Sequence, residues 1–446
     1  MQIVNPKSRV ALQLDNSELW LKLDKLLSKD QAIIIPIPHF FTQQQIQFMV
    51  EKAGVDSVVC HPQAEDLWLS IGFSFSSRLC DGVVLMEKFM TDYPRLPQNT
   101  HKITFTSGTT GEPKGVCLSL SHLQKVGKSL ADITQKFWVK KHLCVLPLSV
   151  LLENMAAHYA AQHRDIEVVT PSLAELGLSG SSSLDIKKLI ASLVKYQPDS
   201  LILMPQMLKA IVYVCEHHQV KLPFLKFIAV GGAVCSKSLL HKAQKLGLAV
   251  YEGYGISECG SVISLNTDSQ FAGSVGQVLP HQQVEIAEDD EIIVKGNLFL
   301  GYLGQKDNHE EHFHTGDLGR FDENHNLRII GRKKNIIINS FGRNISPDWI
   351  EAELLALDEI RQVVIYGEAQ PFLTAICVSP CDKKTILTAV AKVNKTLPDY
   401  AQVKEIILAK EAFTVENNLL TASGKSKAKI IFNHYNKQLE NVYANT

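Results

Sequence analysis

Between residues 32 and 250, short β-rich runs alternate with longer amphipathic stretches, and this alternation constrains the fold more than any other feature of the chain. The β-rich runs fall at 32–37, 55–59, 102–106, 143–146, 166–170, 201–204 and 227–230. Between them, 185–196 places Ile186, Leu189, Ile190 and Leu193 at three- and four-residue spacings, and 236–246 repeats the pattern. Parallel strands need a crossover of helical length between them, so the chain is expected to build α/β sheets, stacked, mostly parallel and covered by helices. At 446 residues, about three domain-sized units fit, and so do two unequal ones.

From about residue 274 the pattern shortens into turn-separated strands. Residues 284–287 and 291–295 flank an acidic turn, and 318–322 and 327–330 flank Glu323-Asn324-His325-Asn326, which predicts a small β subdomain. Beyond Arg332 comes a further small α/β segment. It has a strand at 335–339, a helix at 347–357, strands at 362–366 and 373–378, and a helix near 383–393. Ser346 stands as N-cap, with Pro347 at the first helical position and Asp348 near the positive end of the dipole. The Gly/Ser patch 179–183 reads as a flexible surface loop.

Acidic and basic residues nearly cancel, 46 against 45, so no overall field holds nucleic acid or an anionic membrane; a bound polyanion must meet a local site. The nine cysteines are scattered, and the only close pair, Cys377 and Cys381, lacks a matching partner pair, which argues against a structural zinc site. Reduced cysteines, an N-terminus without the apolar core of a signal peptide, and the absence of any apolar run long enough to span a bilayer predict a cytoplasmic protein.

The densest chemical signal is Thr106-Ser107-Gly108-Thr109-Thr110-Gly111-Glu112-Pro113-Lys114-Gly115, between a strand and an amphipathic stretch at 120–137. Three glycines let the backbone turn and present N–H groups, the hydroxyls add donors, and Lys114 adds charge, which suits a polyphosphate. A P-loop would need GxxxxGK followed by Ser or Thr; here Pro113 and Gly115 break that register.

This run resembles the phosphate loop of the AMP-forming adenylating superfamily, which includes acyl- and aryl-CoA synthetases, nonribosomal peptide adenylation domains and beetle luciferases. Five further segments resemble that family's motifs in its order. They are Gly231-Gly232-Ala233, Tyr251-Glu252-Gly253-Tyr254-Gly255-Ile256-Ser257-Glu258, His314-Thr315-Gly316-Asp317, Gly331-Arg332-Lys333-Lys334-Asn335 with Phe341-Gly342-Arg343, and Leu420-Thr421-Ala422-Ser423-Gly424-Lys425. The resemblance implies that Thr106 to Gly111 and Lys114 hold the β- and γ-phosphates of ATP, and that Glu258 with the Thr110 hydroxyl holds Mg²⁺. It places Gly232, Ala233, Glu252, Gly253, Tyr254, Gly255 and Ser257 around the adenine, with Tyr254 stacking on it. Asp317 would accept from the ribose hydroxyls, Arg332 would donate nearby, Lys425 would stabilise the charge that builds in acyl transfer to the α-phosphate, and Lys334 would be the interdomain hinge.

The chain also departs from the family. The phosphate loop comes early, so the N-terminal region looks abbreviated. After Leu146-Pro147-Leu148, where the family places a phenylalanine and a histidine, the chain continues Ser149-Val150-Leu151-Leu152, so the aromatic gate is expected to be missing and the pocket to be aliphatic. The resemblance therefore implies residues 1–332 as the adenylation domain and 333–446 as a mobile lid. The implied activity is ATP-dependent activation of a fatty or aryl acid, then transfer to a thiol, coenzyme A or the phosphopantetheine arm of a carrier protein. A nucleotide-binding homologue without catalysis is the contrasting reading. The histidines His309, His312 and His314 are read as loop imidazoles, and the basic run Lys425, Lys427 and Lys429 either as a solvated face or as a contact to the phosphate of a second substrate.

Overall fold

The computed structural model describes residues 2–79, 82–106, 113–180, 183–305, 310–421 and 424–444. Its first sheet has eight strands in the order Gly301–Tyr302, Lys114–Leu118, Lys102–Thr106, Ile33–Pro36, Arg9–Gln13, Ser57–Cys60, Val84–Glu87 and Ser74–Arg78. The central strands run parallel, from Lys102–Thr106 across to Ser57–Cys60, and the edges are antiparallel. Arg9–Gln13 lies in the middle with all five residues buried. Such a strand shows no alternation, because both faces are covered.

The second sheet runs Gln277–Val278, Ser264–Leu265, Val250–Tyr254, Phe227–Val230, Ser200–Leu203, Lys141–Leu143 and Glu167–Val169, parallel from the third strand onward. Its crossovers are helices whose starts are written in the sequence. Asp185 accepts from the N–H groups of Lys187 and Lys188 at the head of Ile186–Tyr196, and Ser236 accepts from Ser238 and Leu239 at the head of Lys237–Lys245. Each cap is worth about 1 kcal/mol. Leu189 and Leu193 then bury one stripe of their helix against the sheet, about 1.5–3 kcal/mol per side chain.

A four-stranded antiparallel sheet follows, Gln282–Ile286, Glu291–Gly296, His312–Phe321 and Leu327–Arg332. The C-terminal segment has a three-stranded sheet, Gln362–Tyr366, Leu373–Val378 and Val403–Leu408, with its own buried core. The α/β class matches the expectation, with local corrections. The strand expected at 335–339 is a 3-10 turn, Lys333–Asn335, and only Ile337–Ile338 pairs, because its sole partner is the two-residue strand Asn344–Ile345. The strand expected at 143–146 is Lys141–Leu143, since its partner Ser200–Leu203 pairs it only at His142 and Leu143. The patch at 179–183 is not simply a loop: Leu178–Ser179 pairs with Ser183–Leu184. Ser346 precedes helix Pro347–Leu355 but makes no side-chain cap bond. Among the described residues, no helix is long and apolar enough to cross a membrane.

One irregularity shapes the interior between the sheets. After Leu151–Asn154 the chain makes a π-helical turn, Met155–Ala160, before Ala161–His163. Helix Leu120–Thr134 crosses it so closely that a Cβ on Gly127 would sit 2.7 Å from the Cβ of Tyr159. Only glycine fits that crossing.

Candidate active site

A cavity of about 870 Å³ lies where the sheets meet. Parallel strands deliver it: the carboxyl ends of Ser200–Leu203, Phe227–Val230 and Val250–Tyr254 bring Met204, Gly231, Gly232, Gly253 and Tyr254 to its wall. Ligands of open α/β sheets collect at such ends. A Cβ on Gly255 would meet the Ser261 carbonyl oxygen at 1.9 Å, so glycine there lets the chain turn sharply from Tyr254 into the 3-10 turn Ser257–Cys259, which carries Glu258.

Tyr254 is tied to the third sheet. Its hydroxyl donates to Asp317 Oδ2 at 2.8 Å, and Arg332 Nε donates to Asp317 Oδ1 at 3.0 Å. Asp317 and Arg332 are cross-strand partners in an antiparallel pair, so their proximity follows from register. Tyr254 and Arg332 line the cavity, and Asp317 sits buried just behind them. Burial pushes the Asp317 carboxyl up against the opposing pull of Arg332 and the Tyr254 hydroxyl. A carboxylate offers about four lone-pair sites, so two engaged oxygens still leave acceptor capacity for a ligand.

Glu258 accepts from the Tyr302 hydroxyl at 2.8 Å, and Lys114 Nζ stands 5.1 Å over the Tyr302 ring. Lys334 lines the same end, its ammonium lowered by burial, then by Arg332 and Lys114. Neighbouring Lys333 also lines the cavity, with its ammonium paired to Asp289 and Glu291. Lys425 enters from the C-terminal segment on a closed turn: its N–H donates to Thr421 Oγ1 at 3.0 Å, and the Thr421 N–H donates to the Lys425 carbonyl at 2.8 Å. Lys114, Arg332, Lys334 and Lys425 thus converge on one end, a field suited to a polyanion. Among the described residues, nothing apart from its chain neighbours comes within 4 Å of where a Cβ on Gly342 would stand, and Phe341 beside it is 73% exposed.

The other end is apolar. The wall continues back along Ser200–Leu203 from Met204 to Ser200, four residues or about 13 Å of strand. Val139, Ile166 and Phe227 line that inner part, with Ala156, Ala160 and Ala161 on the π turn and the segment after it. Its polar residues are already engaged: His142 Nδ1 meets Ser200 Oγ at 3.0 Å and Nε2 meets Glu153 Oε1 at 2.8 Å, while Glu153 also accepts from the Leu146 N–H. Phe40 and Phe41 line the cavity from the first sheet's side, so the pocket is not purely aliphatic.

Of the residues singled out in the sequence, Thr106, Lys114, Gly232, Gly253, Tyr254, Gly255, Ser257, Glu258, Arg332, Lys334 and Lys425 share this cavity wall. Ser107, Gly108, Thr109, Thr110, Gly111 and Glu112, with His309, Ala422 and Ser423, lie outside the described residues. Ala233 and Glu252 do not line it. Ala233 is exposed, and the buried Glu252 has its Oε2 accepting from the Gly273 N–H at 2.6 Å, which braces the turn at 271–274. Tyr302, Phe40 and Phe41 were not legible as site residues; no local motif marks them, and only strand pairing and loop packing bring them in.

Compared with known families, residues 2–303 match AMP-binding enzymes. Long-chain-fatty-acid–CoA ligase 1 of Cavia porcellus is 27% identical over 99% of this chain and 79% of its own length. Long-chain-fatty-acid–CoA ligase FadD15 of Mycobacterium bovis is 28% identical over 76% of this chain and 69% of its own. Among solved structures, ATP-bound MatB from Rhodopseudomonas palustris superposes with a TM-score of 0.75 at 21% identity, over 97% of this chain and 90% of that one. O-succinylbenzoate coenzyme A synthetase from Bacillus subtilis, in complex with ATP and magnesium, gives 0.73 at 18% identity, over 96% and 89%.

Proposed function

Because this chain belongs to the AMP-binding enzyme family, we propose that it is an AMP-forming ligase that activates a fatty acid with ATP and passes the acyl group to coenzyme A. The observation that carries this reading is one cavity with four cations at one end and about 13 Å of apolar wall behind them. An acid can lie with its chain along the strands and its carboxylate among the cations. An aryl acid fits the same wall, and the long-chain relatives favour the fatty acid.

In the first step a carboxylate oxygen attacks the α-phosphorus of ATP, and the bond to the β-phosphate breaks to release pyrophosphate. The residues supply alignment and charge neutralisation. Lys114, with the loop at 106–111, holds the leaving phosphates; Lys425 sits between carboxylate and α-phosphate. Tyr254 packs on the base, and Asp317 accepts from the ribose, held by Tyr254 and Arg332. The hard oxygen of Glu258, beside Lys114 and at the cationic end, fits Mg²⁺, with Thr110 as second ligand; when bound, the ion neutralises phosphate charge.

In the second step the thiol sulfur attacks the acyl carbonyl, the bond to phosphate breaks, and AMP leaves. Residues 333–446 form a lid on residues 1–332 with Lys334 as hinge. With Lys425 at the cavity and open space around Gly342 among the described residues, the arrangement suits the first step; turning about Lys334 would present Gly342, whose missing side chain leaves room for a pantetheine arm. A carrier protein's arm has the same chemistry as coenzyme A and is the second acceptor to test. We place the enzyme in the cytoplasm, in keeping with eight free cysteines among the described residues.

ATP–pyrophosphate exchange with a panel of carboxylic acids tests the reading. Exchange that requires a fatty acid is expected; ATP binding without acid-dependent exchange from any acid would leave only a nucleotide-binding homologue.

A further inference from the structure

Two polar contacts far along the chain from the hinge join the C-terminal segment to the second sheet's helices. On helix Pro205–His218, Lys209 Nζ donates to the carbonyl oxygens of Leu357 at 2.6 Å and Ile360 at 3.2 Å, just beyond helix Pro347–Leu355. On that second helix Glu353, 8% exposed, accepts from Ser236 Oγ at 2.8 Å and from the Lys237 N–H at 3.2 Å. Ser236 is itself the cap of helix Lys237–Lys245, so the carboxylate completes a helix start belonging to the other body. Ala356 packs between these contacts against the second sheet's core.

A body attached only at Lys334 is free to turn. Two further points of attachment, on separate helices, fix its orientation. We propose that Lys209 and Glu353 are positioning residues that latch segment 333–446 in the orientation in which Lys425 lines the cavity, and so serve acyl-adenylate formation and not thiol transfer. The inference rests on the two-step reading of the proposed function. Any turn that brings Gly342 to the cavity breaks these bonds, since each has its two ends on opposite bodies. The charged groups released are then rehydrated, which makes the latch reversible.

The latch also carries a proton. Burial, the dominant influence, lowers the Lys209 ammonium from 10.5 to about 8; Asp358 and Glu359 pull it up, and Arg361 and Lys242 push it further down. Once turned out, Lys209 regains the ordinary lysine range. The latched state therefore binds fewer protons than the released one, and latching is favoured as pH rises from about 8 toward 10.5. The neutral amine keeps the N–H donors that the two carbonyls need.

The test uses the full chain with Lys209→Met and Glu353→Ala, and Glu353→Gln as the variant that keeps an acceptor. Acid-dependent ATP–pyrophosphate exchange should fall about tenfold in kcat with ATP KM unchanged, the loss expected for one charge-assisted hydrogen bond. Thiolysis of a supplied acyl-adenylate should hold or rise, and Glu353→Gln should recover most of the exchange. The rise of exchange relative to thiolysis above pH 8 should vanish in Lys209→Met. Equal loss of both steps, or no change in either, overturns the latch. A distance measurement between spin labels at Phe341→Cys and Lys128→Cys, two exposed positions on opposite bodies, needs no turnover. Both variants should broaden that distance; an unchanged distance in both overturns the latch. Absence of exchange from the unaltered protein would instead count against the proposed function.

Discussion

Lys102 and Asp24 form an ion pair that water does not reach, 3.0 Å from Nζ to each carboxylate oxygen. Lys102 opens the strand that runs into the phosphate loop, and Asp24 lies on helix Glu18–Lys29. The ammonium also donates to Asn154 Oδ1 at 2.7 Å and stands 5.1 Å over the Tyr159 ring, so the first strand of the loop, an N-terminal helix and the π turn share one charge. Burial pushes the Asp24 carboxyl up, but Lys102 and His158 outweigh it and hold the group below the usual carboxylate range.

Removing one partner strands the other in the core. Asp24→Leu or Lys102→Met should each lower unfolding free energy by about 3–5 kcal/mol, while the two combined should cost far less than the sum. Urea unfolding of the three variants decides; additive losses would show that the two residues act separately. The Asp24 contribution is present above the ordinary carboxylate pKa and should be lost as pH falls below about 4 through its depressed value.

That pair shows where sequence reading stops. Tyr254, Asp317, Arg332 and Lys425 stand in short local motifs, and the cavity gathers them or their immediate partners from three separate parts of the chain. Lys102 and Asp24 are 78 residues apart with no motif around either, and chemistry alone would have put both on the surface. Arg9–Gln13 carries no strand signal because only Val10, Ala11 and Leu12 are apolar between Arg9 and Gln13, too short a run to mark a strand that is covered on both faces. Glu252 sits inside a glycine-rich motif, yet its carboxylate braces the turn at 271–274. Residues 335–339 have the apolar run of a strand, but only a two-residue partner is there to pair with it.

The Asp317–Arg332 pair should report on the ribose. Asp317→Asn is expected to raise the KM for ATP about tenfold, since a charge-assisted acceptor becomes a neutral one. The sharper readout is discrimination: the unaltered enzyme should prefer ATP over its 2′-deoxy and 3′-deoxy analogues, and Asp317→Asn should lose most of that preference. Preserved discrimination would remove Asp317 from the ribose.

Lys425 reaches the cavity only through the orientation of the segment that carries it. Lys425→Ala should lower acyl-adenylate formation by about 10²–10³-fold, the effect of removing one preorganised donor from a developing charge. Thiolysis of a supplied acyl-adenylate should survive, because that step uses the other orientation. Rapid-quench measurement of each step separates the two; equal damage to both would contradict a lid with two working positions.

Glu351 offers a pH test inside the C-terminal segment. Burial raises its carboxyl to about 8, with the Ile365 N–H, donating at 2.9 Å, pulling the other way. A raised acid stabilises the fold below its unfolded value near 4.5 and loses that contribution as pH rises through about 8. Glu351→Gln keeps an acceptor for the amide and has no charge to bury. Its Tm should match the unaltered protein at pH 4.5 and exceed it by a few degrees at pH 8.5, read by calorimetry on both proteins. Equal Tm values at both pH values would mean that the carboxyl is not held protonated.

The inner wall should set the length of acid accepted. Ala161 lies beyond the π turn and lines the same apolar end as Ser200 and Ile166, at the opposite end of the strands from Gly232 and Tyr254. Ala161→Phe adds a ring there without touching the cationic end. The optimum in a chain-length series of fatty acids should move to shorter acids, with kcat/KM for the longest falling about 10–100-fold, as expected when several methylenes lose their place. The KM for ATP should stay unchanged, because nucleotide and chain occupy different ends. A uniform loss across all lengths would mean that the chain does not run along the strands, and a raised KM for ATP would mean that the two ends are not separate.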